Sequence, residues 1–215
     1  MPLQIDRISP RKTAVIVVDM QHDFVAPGAP LETPMGRDLL PNLTRLLDHA
    51  RQRGMTVIYT AHVHREDGSD MGLYGEIWEP IGKHKALVDE KPGVEIYDPV
   101  APQPGELTVK KHRYSAFYGT DLDMILREKK IENVAITGVT TENCCMSTAR
   151  DVMFHNYRVA FISDATGTFD YPDVGFGAIP ATEVHRVCLG ILGVSTAHVM
   201  TTEDFIHKSL ANEPA

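Results

Sequence analysis

Cysteine is nearly absent from this chain: three residues in 215, an odd number. So few thiols make a poor disulfide framework, and the expectation is a reducing, cytoplasmic setting. No apolar run reaches the about 18 residues that a membrane span needs. The opening MPLQIDRISPRK has no apolar signal-peptide core. Basic residues are also short: 21 Lys and Arg stand against 29 Asp and Glu, a net charge of −8, and no dense Lys/Arg stripe occurs. That balance argues against nucleic acid and acidic membrane surfaces as partners. Internal repeats and low-complexity tracts are missing, and the length suits one domain over residues 1–215 with a single well-buried core.

What is present is alternation. TAVIVVD (13–19), MTVIYT (55–60), NVAITGV (133–139) and YRVAFISD (157–164) read as buried parallel strands, with ELTVKK (106–111) and TAHVM (196–200) as weaker candidates. Between them lie helical patterns. Leu39, Leu40, Leu43, Leu46, Leu47 and Ala50 recur at helical spacing and stop before Gly54. Thr120 precedes DLDMILREKK, Thr141 is placed to cap ENCCMSTARDVMF, and Thr182 to cap EVHRVCLGIL. The implied fold class is α/β, a parallel sheet with helices on both faces. A (β/α)8 barrel needs more residues and two more strands. Residues 61–105 and 171–180 are irregular, and long irregular stretches in compact domains are usually functional or mobile. Both are candidates to wall a pocket, and the first holds the only tryptophan, Trp78.

Ligands of open parallel sheets sit beyond the carboxyl ends of the strands. Asp19, Lys111 and Cys144 all fall at such ends. Cys144, in a first helical turn, is exposed to free backbone N–H groups and to the positive end of the helix, which favour a thiolate. A neighbouring Lys111 ammonium would favour it further. Asp19 supplies a carboxylate to take the thiol proton and pass it to a leaving amine. Cys145 is rotated by about 100° from Cys144 on a helix, on the side of Val152 and Met153, and reads as core. The competing reading makes both cysteines small buried hydrophobes, Asp19 a turn residue and Lys111 a solvated strand end.

At these residues the sequence resembles the isochorismatase-like cysteine hydrolases. VIVVDMQHDF (15–24) resembles the family's first strand with its catalytic Asp, matching Asp19. KKHRYSAFYGTDLDMIL (110–126) resembles the segment that opens with the catalytic Lys, matching Lys111, and ITGVTTENCCMSTARD (136–151) resembles the nucleophile segment, with the nucleophile on Cys144. VAFISDAT (159–166) resembles the strand that follows. The resemblance implies a three-layer α/β/α fold on a six-stranded parallel sheet. It also implies a cis peptide at Val139–Thr140, an oxyanion hole from the amides of Thr140 and Cys144, and a homodimer or homotetramer. The function it implies is cysteine-dependent hydrolysis of a C–N bond in a small amide or ureide through a thioester, with no cofactor or metal. Two alternatives stand beside it. One is a metal-assisted nicotinamidase, because HVHREDGSD offers His62, His64 and Asp70 in place of that branch's Asp-x-His and further His. The other is a redox sensor using the Cys144–Cys145 pair.

Phe24 and Trp78 are candidates for the substrate pocket wall, against core packing for Phe24 and a subunit contact for Trp78. Arg113 suits a structural ion pair better than a substrate carboxylate. His185 and His198 read as structural, with no second ligand at metal spacing. Cys188 stands where biuret-type relatives place a Gln. In a regular strand His62 and His64 point to opposite faces.

Overall fold

The computed structural model describes residues 2–210. Its six strands are β1 (Thr13–Val18), β2 (Thr56–His62), β3 (Leu107–Lys111), β4 (Asn133–Val139), β5 (Arg158–Gly167) and β6 (His198–Met200). They form one all-parallel sheet in the order β3-β2-β1-β4-β5-β6. The order reverses between β1 and β4, which opens a crevice at their carboxyl ends.

The helices are α1 (His22–Val25), α2 (Met35–Asp38), α3 (Leu40–Gln52), α4 (Tyr74–Ile77), α5 (Glu79–Gly82), α6 (Leu122–Glu128), α7 (Met146–Phe154), α8 (Ala181–Ser195) and α9 (Thr202–Leu210). A single turn of π-helix, Thr141–Cys145, leads into α7. Alternation along β1 divides the core. Val15 and Val17 pack with Leu43, Leu46, Leu47 and Ala50 of α3 and with Phe205 of α9. Ala14, Ile16 and Val18 pack on the other face with Leu122, Leu126, Ala149, Val152 and Leu192. The result is the expected α/β/α layering. Each fully buried leucine of α3 contributes on the order of 1.5–3 kcal/mol relative to exposure. The helix ends as its sequence directs, with Gly54 at φ +67, a left-handed conformation that a side chain disfavours.

The cap residues are a correction. The Thr141 hydroxyl does not cap a helix; it pairs with His185 Nδ1 at 2.8 Å, inside the π turn rather than before it. Thr182 lies within α8, whose first N–H, on Ala181, donates to Asp170 Oδ1 from eleven residues upstream. Thr120 does take a helical N–H, from Leu122 at 3.3 Å. The stretch read as irregular carries the one-turn helices α4 and α5. Helix α9 had no sequence expectation, although its signal was present. Asp204 N donates to Thr201 Oγ1 at 3.1 Å and Thr201 Oγ1 donates back to the Asp204 carboxylate at 2.8 Å, a reciprocal Thr-x-x-Asp cap ahead of an apolar pair.

Candidate active site

The three residues singled out by spacing meet in the crevice between β1 and β4. Asp19 follows β1 with φ +47, a left-handed conformation rare for a residue with a side chain, and this turns the chain sharply out of the sheet. Lys111 is the last residue of β3, paired in register with His62 of β2. Cys144 lies in the π turn after β4. There the chain passes Gly138, where a side chain would strike the Val18 carbonyl at 2.1 Å, and the Val139–Thr140 peptide is cis, as the family resemblance implied.

The Lys111 ammonium lies 2.7 Å from Asp19 Oδ2 and 3.4 Å from Cys144 Sγ, and it donates a third bond to the Arg113 carbonyl at 2.9 Å. Lys111 and Asp19 are fully buried and Cys144 is 4 % exposed. Thr60, two residues before the end of β2, fixes the carboxylate from the other side: its hydroxyl donates to Asp19 Oδ1 at 2.6 Å and accepts the Asp19 N–H at 3.1 Å. Thr60 was missed as a site residue, although it lies near the end of the strand next to β1. Gln21 was missed too. Its amide donates to the His62 carbonyl and accepts the His62 N–H, locking β2 to the segment after β1.

Burial works against ionising Cys144. It pushes the thiol up, the Asp19 carboxylate pushes it further, and Lys111 only partly offsets both. The direction is thus toward the thiol, against the pull toward thiolate that the helix terminus was expected to supply. Lys111 is held in its charged form: burial disfavours the ammonium, but Asp19 and Cys144 outweigh that. Cys145 is fully buried among core residues, with Sγ 3.8 Å from the Thr137 carbonyl, and all three cysteines are free.

A cavity of about 300 Å³ opens onto Cys144. Phe24 and Trp78 both line it, with Tyr74, Tyr114 and Phe169 completing an aromatic wall. Trp78 Nε1 donates to Tyr114 Oη at 3.1 Å. The polar lining includes His62, Asn143 and Glu32, the last paired with Arg37 at 2.6 Å. Asn143 Nδ2 and the Tyr171 hydroxyl both donate to Glu142 Oε1.

His62, His64 and Asp70 do not form one ligand set. A ring nitrogen of His62 groups with Asp19 and Cys144, the three ligand atoms lying within 4.8 Å of one another, while His64 and Asp70 group with His112 at the same spacing. The rings of His62 and His64 are 4.9 Å apart, not on opposite faces, because β2 ends at His62 and the backbone turns toward Val88. Two imidazoles and a carboxylate would suit a first-row divalent ion at the second group. Arg113 stands beside that group. Its guanidinium donates to the carbonyls of Asp70 and His112 and lies 5.6 Å over the Tyr74 ring, so its ties are to carbonyls and a ring rather than to the ion pair expected. His185 bridges Thr141 and the Ser163 carbonyl, and His198 Nδ1 accepts the Ile5 N–H; both are structural.

Known proteins bear on this geometry. The family model of the isochorismatase domain matches residues 13–204. N-carbamoylsarcosine amidase of an Arthrobacter species is 33% identical over 152 residues, 68% of this chain and 56% of that protein. The ureidoacrylate amidohydrolase RutB of Caulobacter vibrioides is 33% identical over 183 residues, 77% of this chain and 80% of RutB. The crystal structure of a cysteine hydrolase from Pseudomonas syringae pv. phaseolicola superposes with a TM-score of 0.92 at 36% identity, covering 97% of this chain and 96% of that one. With Asp19, Lys111 and Cys144 converging at the switch point of the sheet, the chain belongs to the isochorismatase-like hydrolases and is an enzyme.

Proposed function

We propose that the protein is a cysteine-dependent amidohydrolase that cleaves a C–N bond of a small amide or ureide through a thioester. One observation carries the reading: a buried ammonium, Lys111, bridges the Asp19 carboxylate at 2.7 Å and the Cys144 sulfur at 3.4 Å. Asp19 takes the thiol proton as Sγ bonds to the substrate carbonyl carbon, and Lys111 holds the sulfur and the carboxylate in place. The amides of Thr140 and Cys144 stabilise the oxyanion that develops. Collapse breaks the C–N bond, and Asp19 returns the proton to the departing nitrogen, which leaves as ammonia or an amine. Water then attacks the thioester, Asp19 takes its proton, and the thiol is restored as the acid departs. The small, largely aromatic cavity with Phe24 and Trp78 in its wall suits a compact substrate. The activities that two of the relatives are named for, on N-carbamoylsarcosine and ureidoacrylate, support the ureide class.

The chain acts in the cytoplasm as one domain and assembles as a homodimer or homotetramer. In support of assembly, Val187, Ile191 and Val194 leave an apolar stripe exposed along α8. The test is ammonia release from a panel of small amides and ureides, run beside Cys144→Ala. Turnover that needs Cys144 supports the reading. No release from any member of the panel overturns it. The nicotinamidase alternative draws support from the grouping of His64, Asp70 and His112 and from the likeness to a probable inactive nicotinamidase of Arabidopsis thaliana, 33% identical over 158 residues. A Cys144–Cys145 redox pair has less support, since Cys145 lies wholly in the core.

A further inference from the structure

His62 has no part in the scheme above, yet it is built into the same centre. It lines the cavity beside Cys144 and is 2 % exposed. Its backbone is clamped on both sides by Gln21, and its ring is held edge-on to Tyr74 at 5.4 Å and against His64 at 4.9 Å. Among the described residues its Nε2 is buried with no hydrogen-bond partner. A fixed, buried ring nitrogen without a partner costs stability unless something outside the protein satisfies it.

We infer that His62 is a further catalytic residue, whose unprotonated ring nitrogen accepts a hydrogen bond from the departing nitrogen of the scissile amide. The inference rests on the amidohydrolase reading and adds to it the group that recognises the leaving nitrogen. Geometry supports it. The departing nitrogen must reach Asp19, which returns the proton to it. A ring nitrogen of His62 lies within 4.8 Å of an Asp19 carboxylate oxygen and of Cys144 Sγ. Hydrogen bonds of about 2.9 Å from one nitrogen reach two atoms up to 4.8 Å apart at an angle of at most about 110°, which a tetrahedral amine about to leave can span. One nitrogen can therefore face Asp19 and His62 together. The ring is also in the right form. Burial keeps the imidazole neutral, and the charges of Lys111 and Arg113 act in the same direction. A neutral imidazole offers one acceptor nitrogen, whereas an imidazolium would repel a departing ammonium. His62 thus binds without exchanging a proton, and Asp19 remains the only group that moves one.

The test compares nitrogen and oxygen leaving groups. Turnover of the primary amide most active in the ammonia panel is measured against its methyl ester, whose leaving oxygen has no N–H to donate. Unaltered enzyme, His62→Ala and His62→Gln are compared, and the rate of Cys144 alkylation by iodoacetamide reports whether the nucleophile is intact. His62→Ala is expected to lose roughly 10- to 100-fold in kcat/KM on the amide, the range for one hydrogen bond to a developing charge. The ester and alkylation rates stay near those of the unaltered enzyme. Gln, which carries an acceptor oxygen, restores part of the amide rate. Equal losses on amide and ester, or no loss in His62→Ala, overturn the role of His62 alone. Absence of amide turnover in the unaltered enzyme overturns the amidohydrolase reading and this inference with it.

Discussion

Two clusters of ionisable side chains lie at the same end of the sheet, a few ångströms apart, and they are built differently. In the Asp19–Lys111–Cys144 centre the charges balance. One ammonium faces one carboxylate and a neutral thiol, and Thr60 holds the carboxylate from behind. In the His64–Asp70–His112 cluster the contacts are looser. Asp70 lies 3.3 Å from His64 Nδ1 and 3.2 Å from His112 Nδ1, neither nitrogen of the buried His64 makes a hydrogen bond of good geometry among the described residues, and the nearby Arg113 is taken up by backbone carbonyls. A buried group tolerates low dielectric only when its charge is matched. The first cluster meets that condition with charges, which leaves reactive groups in a defined ionic state. The second meets it by keeping its imidazole uncharged. His64 is pushed down by burial despite the adjacent carboxylate. The fully buried cluster thus matches charge with charge, whereas the second, only partly buried, sets a neutral His64 imidazole beside the Asp70 carboxylate.

The sharpest way to break this comparison is to remove the sulfur. Cys144→Ala is expected to abolish turnover while leaving the melting temperature nearly unchanged, since it removes the proposed nucleophile and little buried area. Cys145→Ala is expected to keep substantial activity and to cost about 1 kcal/mol in denaturant unfolding, the scale for a small core deletion. Because burial holds Cys144 as a thiol, its alkylation by iodoacetamide should accelerate steadily with pH, with no plateau near the ordinary cysteine range of about 8.5. Preferential labelling of Cys145, with activity lost in Cys145→Ala instead, would reverse the assignment of the two thiols.

Asp19→Asn comes next in size. The amide keeps the shape and the Thr60 contact but cannot accept the thiol proton, and it leaves the buried Lys111 ammonium unpaired. A fall in kcat of order 10²–10⁴, the usual contribution of general acid–base catalysis, is expected in steady-state assays. Near-normal turnover would mean that another base serves Cys144.

Much of the first cluster was legible in the sequence, and the second much less so. Strand ends are written in runs of β-branched residues, so Asp19, Lys111 and Cys144 could be placed at the carboxyl edge from pattern alone. The family resemblance then separated Cys144 from Cys145. Thr60 was not legible, because its role depends on which strands are neighbours, and strand order is not a local property. The relation of His62 to His64 was open for a related reason: alternation holds only inside a strand, and β2 stops at His62. The helix caps failed at Thr141 and Thr182 because the competing partners, His185 and Asp170, come from distant segments.

The buried imidazoles, His64 of the second cluster among them, make a pH prediction of moderate size. Burial lowers His62 and His64 below the ordinary histidine value of 6.5, and it lowers His49, His185 and His198 as well. A group depressed in the folded state binds fewer protons there than in the unfolded chain. Its stabilisation is complete above about 6.5 and is lost as pH falls toward the folded value. Asp23, whose carboxyl is pushed up by burial, acts in the opposite sense but is a single group. The melting temperature is expected to fall by several degrees between about pH 7 and pH 5, and His64→Gln should make that fall smaller. A flat profile over this interval would mean that the imidazoles take up protons without cost, and the contrast between the clusters would fail.

The smallest expected effect is that of a chelator. A divalent ion at His64, Asp70 and His112 would find a suitable donor set, but it would lie beside the Arg113 guanidinium, whose charge already disfavours protonation of His64. At Asp19, His62 and Cys144 it would compete with the Lys111 ammonium for the carboxylate and the sulfur, at 2.7 and 3.4 Å. It would also have to displace a thiol proton that burial holds firmly. Lys111 already supplies the positive charge that the proposed thioester chemistry requires. Enzyme treated with EDTA is therefore expected to retain its activity, with elemental analysis finding well under one metal per chain. Stoichiometric zinc, manganese or iron, lost together with activity in His64→Ala, would make the second cluster part of the reaction centre and favour the metal-assisted nicotinamidase reading.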